Sequence, residues 1–188
     1  MLTRSGRKAS QQPNELARFI DVLNESKVSR YLEIGTRHGD TFFEVVKSLP
    51  KGSKAVAVDL PGGKWGKDSS RQAMIDCADE LIAMGYEITL IFGDSTKPSV
   101  IAEISKHGPY DAVFIDGDHS YHGVKQDWLN YGTAPIVAFH DIDGEGVYSG
   151  NLAVEVPKLW AEIKGDFKHE SIIDCADGRR MGIGVIWR

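Results

Sequence analysis

Apolar positions along the 188-residue chain alternate between a helical and a strand rhythm. Leu16, Phe19, Ile20 and Leu23 recur at helical spacing after Pro13 and predict an amphipathic helix ending near Ser26. Short β-branched or apolar runs follow at 30–34, 54–58, 87–92, 111–115 and 135–139, with helical patterns at 41–48, 69–84, 98–106 and 121–131 between them. Strands alternating with helices of this length imply right-handed βαβ units and a mostly parallel sheet, an α/β fold. Beyond a helix at 154–164, strands at 170–174 and 182–187 are joined by a short link containing Asp177 and Gly178. That link predicts a hairpin, and with it an antiparallel edge. No internal repeat or interior linker interrupts the pattern.

Composition narrows the class. With 41% apolar and 26% charged residues the chain is an ordinary globular protein, long enough for one domain with a sizeable core. Residues 1–12 are polar and lack the apolar stretch of a signal peptide, so a flexible N-terminal tail is expected ahead of a single domain at 13–188. No apolar run approaches membrane-spanning length. The net charge of -5 and the scattered lysines and arginines argue against a nucleic-acid partner. Cys77 and Cys175 lie far apart without a CxxC spacing, which indicates neither a disulfide framework nor a zinc finger and suits a cytoplasmic location.

The chemistry-bearing residues collect at predicted strand ends. In open α/β sheets ligands bind in the crevice outside the carboxyl ends of the strands. The run Tyr110-Asp-Ala-Val-Phe-Ile-Asp-Gly-Asp-His-Ser-Tyr121 delivers Asp116, Asp118 and His119 there, and 135–139 is followed by His140 and Asp141. Two carboxylates and imidazoles in one crevice provide metal-ligand chemistry and a general base. The first strand ends Leu32-Glu-Ile-Gly35-Thr36-Arg-His-Gly39, a glycine turn opening a helix, which lets backbone approach a ligand at the helix N-terminus. It lacks the third glycine and the denser spacing of a dinucleotide fingerprint, which disfavours NAD. Asp59 ends the second strand where an acid accepts ribose hydroxyls, and Asp94 with Ser95 ends the third. Each residue also has a plainer role. Glu33 and Asp59 suit caps or solvated positions, Asp118 and His119 suit a helix cap, and His140 suits a buried histidine held by backbone.

Taken together, Leu-Glu-Ile-Gly-Thr-Arg-His-Gly, Val-Asp59, Gly-Asp94-Ser, Phe-Ile-Asp116-Gly-Asp-His-Ser-Tyr and Phe-His140-Asp141 resemble the class I S-adenosylmethionine-dependent methyltransferases. The similarity is to the small branch related to metal-dependent O-methyltransferases, including sugar and macrolide O-methyltransferases and cephalosporin hydroxylase-like proteins. It covers roughly residues 30–188. It implies a Rossmann-like seven-stranded sheet, mostly parallel with a reversed last strand, with helices on both faces. It also implies S-adenosylmethionine as cofactor: Glu33 and the turn of Gly35, Thr36 and Gly39 would hold the methionine portion, Asp59 the ribose, and Asp94 with Ser95 the adenine. By the same resemblance a divalent cation, magnesium or manganese, would sit between Asp116, His140 and Asp141, with His119 as general base. The relatives supply carboxylate or amide oxygen where this chain has His140, and imidazole suits softer metals better than magnesium.

A small-molecule or sugar hydroxyl is the acceptor class implied. Its recognition would fall to loops such as 143–150, with Asp143, Glu145 and Tyr148, to the N-terminal segment, or to a partner subunit of a homo-oligomer. Trp128, Trp160 and Trp187 read as core, whereas Trp65 reads as either a lid or an exposed loop tip. Two alternatives stand beside the methyltransferase. One is a metal-dependent hydrolase using Asp116, His119, His140 and Asp141; the other is a non-catalytic cofactor-binding module.

Overall fold

A computed structural model describes residues 9, 11–65, 70–143, 148–149, 152–174 and 180–188. Strands β1 (Arg30–Ile34), β2 (Lys54–Asp59), β3 (Glu87–Phe92), β4 (Ala112–Ile115) and β5 (Ile136–His140) alternate with helices α1 (Pro13–Glu25), α2 (Asp40–Ser48), α3 (Arg71–Ala83), α4 (Pro98–Ser105) and α5 (Tyr121–Tyr131). A two-stranded ribbon, β6 (Tyr148–Ser149) and β7 (Leu152–Ala153), follows, then α6 (Val156–Ile163), β8 (Lys168–Ile172) and β9 (Ile183–Trp187). Seven strands form one sheet in the order β3-β2-β1-β4-β5-β9-β8. The first five pair in parallel; β9 runs antiparallel to both β5 and β8. The α/β class, the helix-strand alternation and the reversed last strand are as the sequence predicts.

Period-two alternation sorts the strand residues onto two covered faces. Tyr31, Ala55, Ala57, Phe114 and Ala138 pack with Phe19 of α1, Phe42 of α2 and Leu81 of α3. Leu32, Ile34, Val56, Val113, Ile115 and Phe139 pack on the other face with Val124 of α5 and Trp160 of α6. Burial on both faces explains why the strands read as continuous apolar runs rather than alternating ones. The same alternation matters at the strand ends. Glu33, Asp116 and His140 each follow by two a residue on the α1 side, so all three belong to that side of the sheet.

Several element boundaries differ from the sequence pattern by one or two residues. β8 lies two residues earlier than the expected 170–174, because its ladder sets Ile172 opposite Ile183 and Lys168 opposite Trp187. The fifth strand extends to His140, which pairs with Ile183. The third helix begins at Arg71, since Ser70 caps it by accepting a hydrogen bond from the Ala73 N–H at 3.2 Å. Of the expected loop 143–150, Tyr148 and Ser149 enter the ribbon with Leu152 and Ala153. Ser69, Glu145, Gly150, Cys175, Asp177 and Gly178 lie outside the described residues.

Chain order reverses between β1 and β4, opening a crevice at their carboxyl ends. There Gly35 adopts φ +88°, and a Cβ on it would lie 2.1 Å from the Asp116 carbonyl oxygen. Only glycine satisfies both demands. Gly35→Ala is expected to destabilise the protein by about 3 kcal/mol or more, read as a lowered urea midpoint. An alanine variant as stable as the native chain would contradict this account of the turn.

Candidate active site

The turn after β1 is tied to its neighbours by backbone. The Gly35 N–H donates to the Val58 carbonyl at 2.8 Å and the Asp116 N–H to the Ile34 carbonyl at 2.8 Å, joining β2, β1 and β4 at their tips. Gly39, at φ +89°, closes the turn and starts α2. Asp59 leaves β2 buried and accepts a 2.6 Å hydrogen bond from the Arg37 N–H, so this acid braces the turn from the side. Thr36 is buried between them. Glu33 is only 1% exposed and accepts a 2.8 Å hydrogen bond from the Tyr31 hydroxyl. Burial pushes its carboxyl up to about 8; the Tyr31 hydrogen bond opposes that rise, and the Asp116 and Asp59 charges add to it.

Between β4 and β5 the sequence-predicted groups converge. His119 Nδ1 and Asp141 Oδ2 lie 2.6 Å apart, while His119 Nε2 is 3.9 Å from Asp116 Oδ1. A carboxylate only accepts, so Nδ1 carries the proton in the neutral ring and Nε2 keeps a lone pair. Burial depresses the imidazole, but the Asp141 hydrogen bond and the Asp116 and Asp141 charges outweigh it and raise its pKa. Asp141 has a left-handed backbone, φ +59°, which breaks the strand alternation directly after His140. His140 is 3% exposed, with Nδ1 at 3.1 Å from Asp116 Oδ1 and 3.4 Å from Asp141 Oδ1. Burial disfavours its cation, yet the Asp116 and Asp141 carboxylates hold its pKa up at about 9.

Donor atoms of Asp116, His119 and Asp141 lie within 4.8 Å of one another, a set of two carboxylate oxygens and one imidazole nitrogen able to hold a cation. The resemblance names His140 in this set instead. In the structure His140 Nδ1 lies 3.1 Å from Asp116 Oδ1.

At the end of β3, Asp94 Oδ1 accepts from the Thr96 N–H at 2.9 Å and its hydroxyl at 2.6 Å. Those bonds, chiefly the hydroxyl's, lower the Asp94 pKa. Ser95 donates from Oγ to Asp127 Oδ1 at 2.6 Å, and its carbonyl accepts from the Tyr131 hydroxyl at 2.5 Å. Asp127 is 1% exposed, and burial pushes its carboxyl up to about 7, tempered by the Ser95 hydrogen bond.

Three side chains complete the site. Gln11, within the stretch expected to be a tail, is buried; its Nε2 donates to Asp116 Oδ2 at 2.9 Å and its Oε1 accepts from the Thr41 hydroxyl. Nothing in a polar N-terminal sequence signals that role. Trp65 donates from Nε1 to Asp118 Oδ1 at 2.7 Å and sets its ring centroid 4.9 Å from that of His119. Of the two readings of Trp65, the structure shows the one that covers the site. Asp118 also accepts from the Ser120 N–H at 2.9 Å just ahead of α5, whose cap is Ser120, its Oγ accepting from the Gly123 N–H at 3.2 Å. Asp127 had a legible signal: it falls on the Val124, Trp128, Tyr131 stripe of α5, where an acid is out of place.

The fold has counterparts among solved structures. An O-methyltransferase from Bacillus cereus, solved in complex with SAH, superposes with a TM-score of 0.64 at 15% identity over 97% of this chain and 84% of that one. The O-methyltransferase TomG from Streptomyces achromogenes, solved in complex with SAM, gives 0.69 at 16% identity over 95% and 81%. Cofactor-bound Rv0187 from MTB gives 0.70 at 13% identity over 96% and 82%. No curated protein matches the sequence. Residues 32–142, more than half of the chain and the part carrying every strand-end residue from Glu33 to Asp141, match the profile of a family described as a methyltransferase domain. On that match and on its fold, the chain belongs to the methyltransferase-domain family.

Proposed function

We propose that this protein is an S-adenosylmethionine-dependent O-methyltransferase acting on a hydroxyl of a small molecule or sugar, with His119 as general base. The observation that carries the reading is the His119–Asp141 pair at the carboxyl edge of the sheet. The bound cofactor supplies a methyl group activated on a sulfonium. Glu33 and the turn of Gly35, Thr36 and Gly39 take its methionine portion, Asp59 its ribose, and Asp94 and Ser95 its adenine. The residues fit that ligand: acids stand at three successive strand ends, and the Gly35 turn leaves backbone at the crevice floor. Asp141 fixes the His119 tautomer and stabilises the imidazolium, so Nε2 removes the acceptor's hydroxyl proton as the oxygen attacks. Trp65 covers the imidazole and limits water around it. A metal-dependent hydrolase would leave the buried Glu33 carboxyl without a ligand to serve.

A second reading rests on the convergence of Asp116, His119 and Asp141. This donor set fits a divalent cation, manganese better than magnesium given the imidazole. When bound, the cation would supply Lewis acidity toward the acceptor hydroxyl. The two readings compete for His119, because a nitrogen that ligates a metal no longer takes a proton. Turnover retained after EDTA treatment is expected under the first; loss with EDTA and recovery with manganese would favour the second.

His119→Ala is expected to lower kcat by about 10²–10⁴-fold while S-adenosylhomocysteine affinity in calorimetry stays unchanged. Native turnover in that variant would remove His119 as base. A further expectation concerns Glu33, whose carboxyl is largely protonated at neutrality without ligand. A cationic methionine end favours the carboxylate, so binding releases a proton and affinity for S-adenosylmethionine rises with pH by up to about tenfold per unit until near 8. Calorimetry in buffers of differing ionisation enthalpy reads the released proton. Glu33→Gln is expected to abolish both the release and the slope.

A further inference from the structure

We propose that Asp127 is a positioning residue that locks the Ser95 hydroxyl as a hydrogen-bond acceptor, making the base subsite select a 6-aminopurine over a 6-oxopurine. This rests on the reading above, in which an S-adenosyl ligand places its base beside Ser95.

A serine hydroxyl ordinarily rotates, and donates or accepts as its partner demands. Ser95 has lost that freedom. With Asp127 ionised, the single Ser95 proton points at Asp127 Oδ1, 2.6 Å away, a short bond of the charge-assisted kind. The Tyr131 hydroxyl holds the Ser95 carbonyl from the same helix, so α5 fixes the residue through both backbone and side chain. What the oxygen still offers to a ligand is lone pairs. An exocyclic 6-amino group donates to them, whereas a 6-oxo group meets them as a second acceptor and is repelled.

Asp127 itself has no other explanation in the fold. It is buried on the apolar side of α5, no ion pair is formed by it among the described residues, and its Oδ2 has no hydrogen-bond partner there. An orphaned carboxylate oxygen in a core is costly unless the group serves something. A Cβ built on Gly117 would lie 3.6 Å from that oxygen, and Asp94 and Asp118 both act on the Asp127 charge. The carboxyl therefore lies between the loops that follow β3 and β4, on either side of the base subsite.

The test compares binding of S-adenosylhomocysteine and S-inosylhomocysteine to the full chain by calorimetry at pH 8, where the Asp127 carboxylate predominates. The native protein is expected to prefer the adenosyl ligand by about a hundredfold, an acceptor facing an acceptor being the cost. In Asp127→Ala, Asp127→Asn and Ser95→Ala the ratio is expected to fall toward one, with melting temperatures as the control for folding. The asparagine variant nearly preserves the shape and guards against a packing failure in the alanine one; its neutral amide oxygen holds the serine proton more weakly and its NH2 can turn to the serine oxygen instead, so its ratio is expected to fall less than that of the alanine variant. An equal loss of affinity for both ligands, with the ratio intact, would mark Asp127 as structural and overturn the proposal. So would a native protein that binds both ligands alike. A native protein that binds neither would instead overturn the cofactor reading on which the proposal stands.

Discussion

The approach of Gly35 to the Asp116 carbonyl governs the geometry of the whole crevice. The carboxyl tips of β1 and β4 meet where chain order reverses, and the backbone there leaves no room for a side chain. Because the Gly35 N–H reaches across to Val58 and the Asp116 N–H back to Ile34, three strand tips are fixed together before any side chain takes part. Glu33, Asp59 and Asp116 then take their places from strand register alone. A site carried on strand ends in this way is more rigid than one assembled from loops.

Rigidity comes with an electrostatic burden. Glu33, Asp127 and Asp141 are all nearly inaccessible, and among the described residues the groups that meet their carboxyls are hydroxyls and imidazoles. The protein meets this in two ways. Glu33 and Asp127 are pushed toward their neutral forms by burial. Asp116 and Asp141 instead share the imidazoles of His119 and His140, the second held charged by them. Buried acids whose charge is left partly uncompensated mark sites built for a ligand rather than for stability.

The N-terminal segment gives the site its least expected member. Gln11 spans from α2 to the end of β4, touching Thr41 and Asp116, residues 30 and 105 positions away in sequence. Together with Trp65 it encloses the crevice from two sides. Both residues lie outside the helices and strands of the βαβ units.

The chain order of helices and strands, the reversed last strand and the acids at strand ends were legible in the sequence, because hydrophobic period and residue type are local properties. Glu33, Asp59, Asp94, Asp116, His119 and Asp141 could be named for the same reason: each stands inside an apolar run or within four residues of its end. The sequence was silent on partners. That His119 bonds Asp141, that His140 turns instead to Asp116, that Ser95 gives its proton to Asp127 and that Gln11 reaches the site all depend on separations of 22 to 105 residues. They depend also on backbone angles such as the left-handed Asp141. Local pattern determines which residues reach the edge of the sheet; only the packed sheet, with its strand register and the two helical layers, decides which of them meet.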